Sequence, residues 1–142
     1  MNIMEEVRKR KVLFICTHNS ARSQIAEGIM NHAYNSKYEA HSAGTKPTQV
    51  NPLAIRVMKE IGVDISSQKS KRIREFDGQE FDYVVTLCSD AEDICPFFPG
   101  KEHMHRGFED PAQAMGSDEE KLNRFRKIRD EINQWIEETF KD

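Results

Sequence analysis

Apolar residues fall along this chain in two distinct patterns. Lys11-Val12-Leu13-Phe14-Ile15-Cys16 and Phe81-Asp82-Tyr83-Val84-Val85-Thr86-Leu87 are nearly continuous runs, as in strands covered on both faces. Elsewhere the spacing becomes helical. Ile25, Ile29 and Ala33 share one stripe and predict a helix over about 21–34. Tyr38 to Ala43 alternates weakly and stops at Gly44, predicting a further strand. Asn51-Pro52 combines a capping residue with proline at a first helical position. Leu53, Val57 and Ile61 mark the apolar face of the helix it opens, and Gly62 closes it. Met104 to Phe108 predicts a short strand. Leu122, Phe125, Ile128, Ile132, Trp135 and Phe140 outline a long last helix, with Trp135 assigned to its core face.

Strands alternating with helices predict an α/β fold. The expected form is a small open parallel sheet of about four strands, joined by right-handed crossovers, with helices on both faces. Ligands of such sheets bind beyond the carboxyl ends of the strands. That rule points to the segments after Ile15 and Leu87, and both contain cysteine.

The length of 142 residues fits a single domain, 1–142, with a core large enough to need no staple. With 32% charged residues and no repeat or low-complexity segment, the chain reads as a soluble domain with a charged surface. No apolar stretch reaches the roughly 18–20 residues of a membrane span, and the acidic start lacks a signal peptide's apolar block. The expected location is the cytoplasm, with no membrane partner. A net charge of -3 argues against a general nucleic-acid binder. The basic run Arg8-Lys9-Arg10-Lys11 reads as a solvated stem before the first strand. Three cysteines, Cys16, Cys88 and Cys95, make an odd set. An odd set suggests thiol chemistry in a reducing compartment more than a disulfide framework.

The first candidate site is Cys16-Thr17-His18-Asn19-Ser20-Ala21-Arg22-Ser23, which runs from strand to helix. A loop there can turn successive backbone N–H groups inward around a tetrahedral anion, at the positive end of the helix dipole. Arg22 adds a planar fork of donors for two oxyanion oxygens. The same field favours the thiolate of Cys16. Ser23 is placed to donate to that sulfur, and Asn19 to brace the loop. His18 belongs to the loop, with an ordinary exposed position as its competing reading.

These residues resemble the anion loop of the low-molecular-weight protein tyrosine phosphatase fold. The resemblance extends over most of the chain. Glu27 falls within the first helix, Ser42-Ala43-Gly44 ends the second strand, and Asp110-Pro111 lies where that fold carries its acid loop. It implies Asp110 as general acid, with Glu109 as the competing carboxylate. Tyrosine phosphatases of this fold usually place aromatic residues after Asp-Pro, whereas Ala112 and Gln113 follow here.

Val84-Val85-Thr86-Leu87-Cys88-Ser89-Asp90-Ala91, continuing to Cys95-Pro96, resembles the redox segment of the thioredoxin-coupled arsenate reductases. Phe108-Glu109-Asp110-Pro111-Ala112 and the Asn51-Pro52 helix start are similar to that family too. The resemblance implies a three-thiol relay. Cys16 attacks arsenate, Cys88 attacks Cys16 to release arsenite, and Cys95 attacks Cys88 to leave a Cys88–Cys95 bridge for thioredoxin. Glutaredoxin is the alternative donor. No cofactor is implied, phosphate and sulfate are expected analogues of arsenate, and a monomer is expected.

Cys88 and Cys95 are seven positions apart. A helix would separate their Cα atoms by about 10.5 Å, while a disulfide needs about 4.4–6.8 Å. The relay therefore predicts a conformational switch over Cys88 to about Gly100, eased by Pro96, Pro99 and Gly100.

Some family members bind potassium through an Asn, a Glu, a Ser and an Asp. Asn19, Glu27 and Ser42 match the first three, but Lys71 stands at the Asp position. No potassium site is expected, because an ammonium there would neutralise Glu27; an exposed surface lysine is the competing reading. Two other functions remain open. One is a phosphatase for a small phosphorylated substrate, with Cys88 and Cys95 protecting Cys16. The other is a non-enzymatic thiol sensor or metal module built on Cys88, Cys95, His103 and His105, although that spacing lacks the short Cys pair of structural zinc sites.

Overall fold

The computed structural model describes residues 8–89 and 97–140. In chain order the elements are β1 (Arg10–Ile15), α1 (Arg22–Ala33), β2 (Tyr38–Ala43), α2 (Pro52–Glu60), β3 (Tyr83–Thr86), β4 (Glu102–His105) and α3 (Asp118–Phe140). Two 3-10 turns, Ile73–Phe76 and Pro111–Gln113, complete the set. The strands lie side by side in the order β2-β1-β3-β4, and every neighbouring pair is parallel.

Successive strand side chains point to opposite faces, so β1 feeds two cores. Val12 and Phe14 join Ala40 and Val85 beneath the apolar stripes of α1, α2 and α3. Leu13 and Ile15 join Ala43 and Val84 on the other face, under Phe76, Phe81 and Phe98. Those three rings meet edge to face, with successive centroids 5.8 Å apart. Helical cover on both faces therefore takes an unequal form among the described residues. One face carries the three α-helices, the other a four-residue 3-10 turn and aromatic loops.

Most elements start where the residues require. The Asn51 side chain accepts the Leu53 N–H at 2.8 Å, and Pro52 opens α2. Gly62, at φ +81°, takes the left-handed conformation that turns the chain away after that helix. Three expectations are corrected in detail. Ile61 is 40% exposed because α2 ends at Glu60, and its buried stripe is Ala54, Val57 and Met58. Trp135 is half-buried at the rim, edge to face with Phe108 and Phe140, while Ile136 holds the core position. The last strand lies at Glu102–His105, upstream of the expected Met104–Phe108. Its pairing continues as single bonds from Arg106 N–H to Thr86 O and from Phe108 N–H to Leu87 O.

Register positions the site. Ile15 lies opposite Ala43 on one side and Thr86 on the other, so the three strands end level. The Cys16 N–H then donates to Ala43 O at 3.2 Å, and the Leu87 N–H to Ile15 O at 2.8 Å. Chain direction diverges at this point, β1 leading to β2 on one flank and β3 lying on the other. Open α/β sheets hold their ligands at such a crevice.

Candidate active site

Residues 16–21 bridge the end of β1 and the start of α1, and the carbonyls of residues 17–20 are engaged within the chain. Thr17 O accepts from Lys46 N–H, and His18 O from Thr48 N–H and the Ser70 hydroxyl. Asn19 O accepts from the Gln24 side-chain amide, and Ser20 O from Asn51 N–H. With these oxygens turned outward, the amides of His18, Asn19, Ser20 and Ala21 have no acceptor among the described residues. Unpaired donors at the head of a helix make a seat for an anion.

Asn19 makes the turn possible. It is buried at φ +48°, a left-handed conformation that asparagine tolerates better than most residues. Its Oδ1 accepts from Lys71 N–H at 2.8 Å and from Gln24 Nε2 at 3.0 Å. Its Nδ2 donates to Ser23 Oγ at 2.7 Å, and that oxygen lies 2.8 Å from Cys16 Sγ. The serine proton is thus left for the sulfur. Gly44 presses on the loop from β2. A Cβ at Gly44 would come within 2.5 Å of Thr17 O and 2.6 Å of Cys16 O.

A cavity of about 180 Å³ opens over the loop. Cys16, Arg22 and Asp110 line it together with His18, Thr48 and Gln113. That is well below the roughly 300–1,000 Å³ of drug-sized pockets, and suits a small oxyanion. Arg22 is 2% exposed, donates to Phe108 O at 3.1 Å, and has Nη2 3.7 Å from Asp110 Oδ2. Glu109 is turned away, 3.6 Å from Arg124 and largely exposed. Of the two neighbouring carboxylates, only Asp110 lines the cavity.

The remaining sequence candidates fall around this centre. Thr17, Ser20 and Ala21 lie in the loop itself. Cys88 is buried two residues beyond β3 and is disulfide-bonded, whereas Cys16 is free. Cys95, and most of the segment expected to switch, lie outside the described residues. Lys71 is not a plain surface lysine. Its Nζ donates to Lys69 O at 2.7 Å and lies 3.6 Å from Glu27 Oε1, which also accepts the Ser42 hydroxyl. His103 pairs with Phe98 O and His105 with Thr86 Oγ1. Among the described residues no cluster of three His, Cys, Asp or Glu side chains is arranged for a metal ion.

Sequence reading missed Gln24, Gln68 and Ser70. Gln68 donates to Gln24, which in turn braces Asn19, and Ser70 holds His18 O. Gly107 was also missed; a Cβ there would lie 2.9 Å from Cys88 O. The residue spacing carries no signal for Gln68 and Ser70, which act across 44 and 52 positions, whereas Gln24 lies only five positions beyond the Asn19 it braces.

The family model for low molecular weight phosphotyrosine protein phosphatases matches residues 11–142. An arsenate reductase from Halalkalibacterium halodurans is 48% identical over 131 residues, covering 92% of this chain and 94% of that protein. An arsenate reductase solved in its phosphate-binding state is 32% identical at a TM-score of 0.76, covering 91% of this chain and 95% of that one. A thioredoxin-dependent arsenate reductase from Corynebacterium glutamicum is also 32% identical, at a TM-score of 0.66, covering 94% of this chain and 61% of that one. By these matches the chain belongs to the low molecular weight phosphotyrosine protein phosphatase family, among its arsenate reductases.

Proposed function

We propose that this protein reduces arsenate to arsenite through a three-thiol relay centred on Cys16. The observation that carries the reading is a buried free thiol at the floor of an oxyanion-sized cavity, with Arg22 and Asp110 on its wall. Loop amides and Arg22 hold the arsenate oxygens, and the Cys16 thiolate attacks arsenic. Asp110 supplies a proton to the departing oxygen, so water leaves and a sulfur–arsenic(V) bond remains.

Cys88 then attacks the Cys16 sulfur as a thiolate. The electron pair of the sulfur–arsenic bond passes to arsenic, which leaves as arsenite, arsenic(III). The two sulfurs have lost two electrons and joined as a Cys16–Cys88 disulfide. Level strand ends support this step, because they bring the segments bearing Cys16 and Cys88 together. Cys95 attacks Cys88 in turn and releases Cys16 as a thiolate. An external dithiol reduces the resulting bridge.

Thioredoxin is the donor favoured by the Corynebacterium glutamicum neighbour. The same reading puts the protein in the reducing cytoplasm, as a monomer without a bound cofactor; no helix among the described residues is long and apolar enough to cross a membrane.

Arsenate-dependent NADPH oxidation, coupled through thioredoxin and its reductase, tests the relay. The wild type is expected to turn over repeatedly. Cys88→Ser and Cys95→Ser are expected to stop within one turnover, and Cys16→Ser to do nothing. Sustained turnover by Cys88→Ser on a small phosphate ester, with no arsenate reduction by the wild type, would establish the phosphatase reading instead.

A further inference from the structure

We propose that Lys71 is a positioning residue, a tethered cation that balances Glu27 and sets the anion loop through Asn19. The inference rests on the loop being an oxyanion seat, as proposed above, and is indifferent to the oxyanion's central atom.

Lys71 is fastened at three points. Its N–H donates to Asn19 Oδ1 at 2.8 Å, its carbonyl accepts from Gly44 N–H at 2.9 Å, and its ammonium donates to Lys69 O at 2.7 Å. From Asn19 the bonds run on to Ser23 and the Cys16 sulfur. The residue facing the ammonium needs an explanation. Glu27 projects from α1 with its side chain 12% exposed, and Oε1 lies 3.6 Å from Lys71 Nζ.

A half-buried carboxylate on the helix that seats an anion opposes that anion unless a cation cancels it. The Ser42 hydroxyl donates to Glu27, which stabilises the carboxylate without removing its charge. Lys71 offsets that charge with its own, 3.6 Å away. The ammonium is compact, and oxygens surround it: the Lys69 carbonyl and the Glu27 carboxylate. Carbonyl and carboxylate oxygens are the kinds of group that hold a monovalent cation, and here the chain's own ammonium takes them. Because the cation hangs from the residue whose backbone N–H holds Asn19, charge balance and loop geometry meet in one residue.

Titration calorimetry with inorganic phosphate, on the full-length chain at constant ionic strength, tests this. Lys71→Met is expected to weaken phosphate binding about tenfold. Glu27→Gln keeps an acceptor for Ser42 and is expected to bind phosphate at least as tightly as the wild type. The double variant is expected to return to within about threefold of the wild type. Replacing tetramethylammonium by potassium is expected to leave the wild type unchanged and to strengthen binding by Lys71→Ala.

Equal affinities for Lys71→Met and the wild type would overturn the proposal. So would a Glu27→Gln variant weakened as much as Lys71→Met, or a wild type that gains several-fold in potassium. If Lys71→Met fails to fold, the Glu27→Gln and potassium results decide alone. Failure of every variant, wild type included, to bind phosphate would instead reject the oxyanion seat.

Discussion

Asp110 serves two groups at once. Oδ1 accepts the Ala112 N–H at 3.0 Å and caps the Pro111–Gln113 turn, while Oδ2 faces Arg22 at 3.7 Å. Asparagine would keep the cap and lose the proton. Asp110→Asn is therefore expected to lower the rate of arsenate turnover by about 10²–10⁴ with phosphate affinity kept, measured as kcat beside the phosphate inhibition constant. A rate within about threefold of the wild type would remove Asp110 from the acid role. At this scale the sequence was informative where chemistry is local. Cys16, Arg22 and Ser23 lie within eight positions and could be read as one loop. The braces could not, because Gln68 reaches Gln24 across 44 positions and Ser70 reaches His18 across 52. Nothing in their spacing distinguishes them from surface polar residues.

Helices α2 and α3 are clasped by charge as well as by apolar contact. Arg126 holds both oxygens of Glu60, and Arg129, largely buried, reaches Glu60 Oε1 at 2.9 Å and Val57 O at 2.9 Å. Hydrogen bonds from Arg126, then Arg129, hold the Glu60 carboxyl down to about 2. Folding thus favours the carboxylate. Its contribution is complete above the unfolded value of about 4.3 and is lost as pH falls from there toward 2. The melting temperature of Glu60→Gln is expected to lie below that of the wild type at pH 7, with the gap closing on acidification. A gap independent of pH would mean the clasp acts by packing.

A different failure is expected at the β2–loop contact. Gly44→Ala forces the Thr17 and Cys16 carbonyls apart from β2, so phosphate affinity should fall before stability does, by calorimetry against thermal melting. Among elements, strong periodicity was legible and boundaries were not. The end of α2 exposes Ile61, and β4 begins before its apolar residues do, because caps and ladder partners set ends that hydropathy cannot see.

Across the whole molecule the two faces of the sheet carry unequal loads. Ile132 is fully buried in the cluster that joins all three α-helices to the sheet. Ile132→Ala is expected to cost about 2–5 kcal/mol of global stability, read by denaturant unfolding, while leaving the KM of the folded enzyme unchanged. A shifted KM would show that the helical layer and the loop are not separable. The α/β class and parallel order were readable because alternating elements leave few arrangements. The aromatic cover of the second face was not, since Phe76, Phe81 and Phe98 are scattered in sequence and meet only after folding.

The carbonyls of residues 17–20 are engaged within the chain by Lys46, Thr48, Ser70, Gln24 and Asn51. A seat made of backbone amides and braced by its own chain has little means of telling one tetrahedral guest from another. If the relay operates as proposed, discrimination between arsenate and cellular phosphate comes after capture, because only arsenic takes up the electron pair of its bond to Cys16 when the second thiol attacks that sulfur. Phosphate then acts as a standing competitor that raises the arsenate requirement without consuming reductant, and resistance should weaken in phosphate-rich conditions.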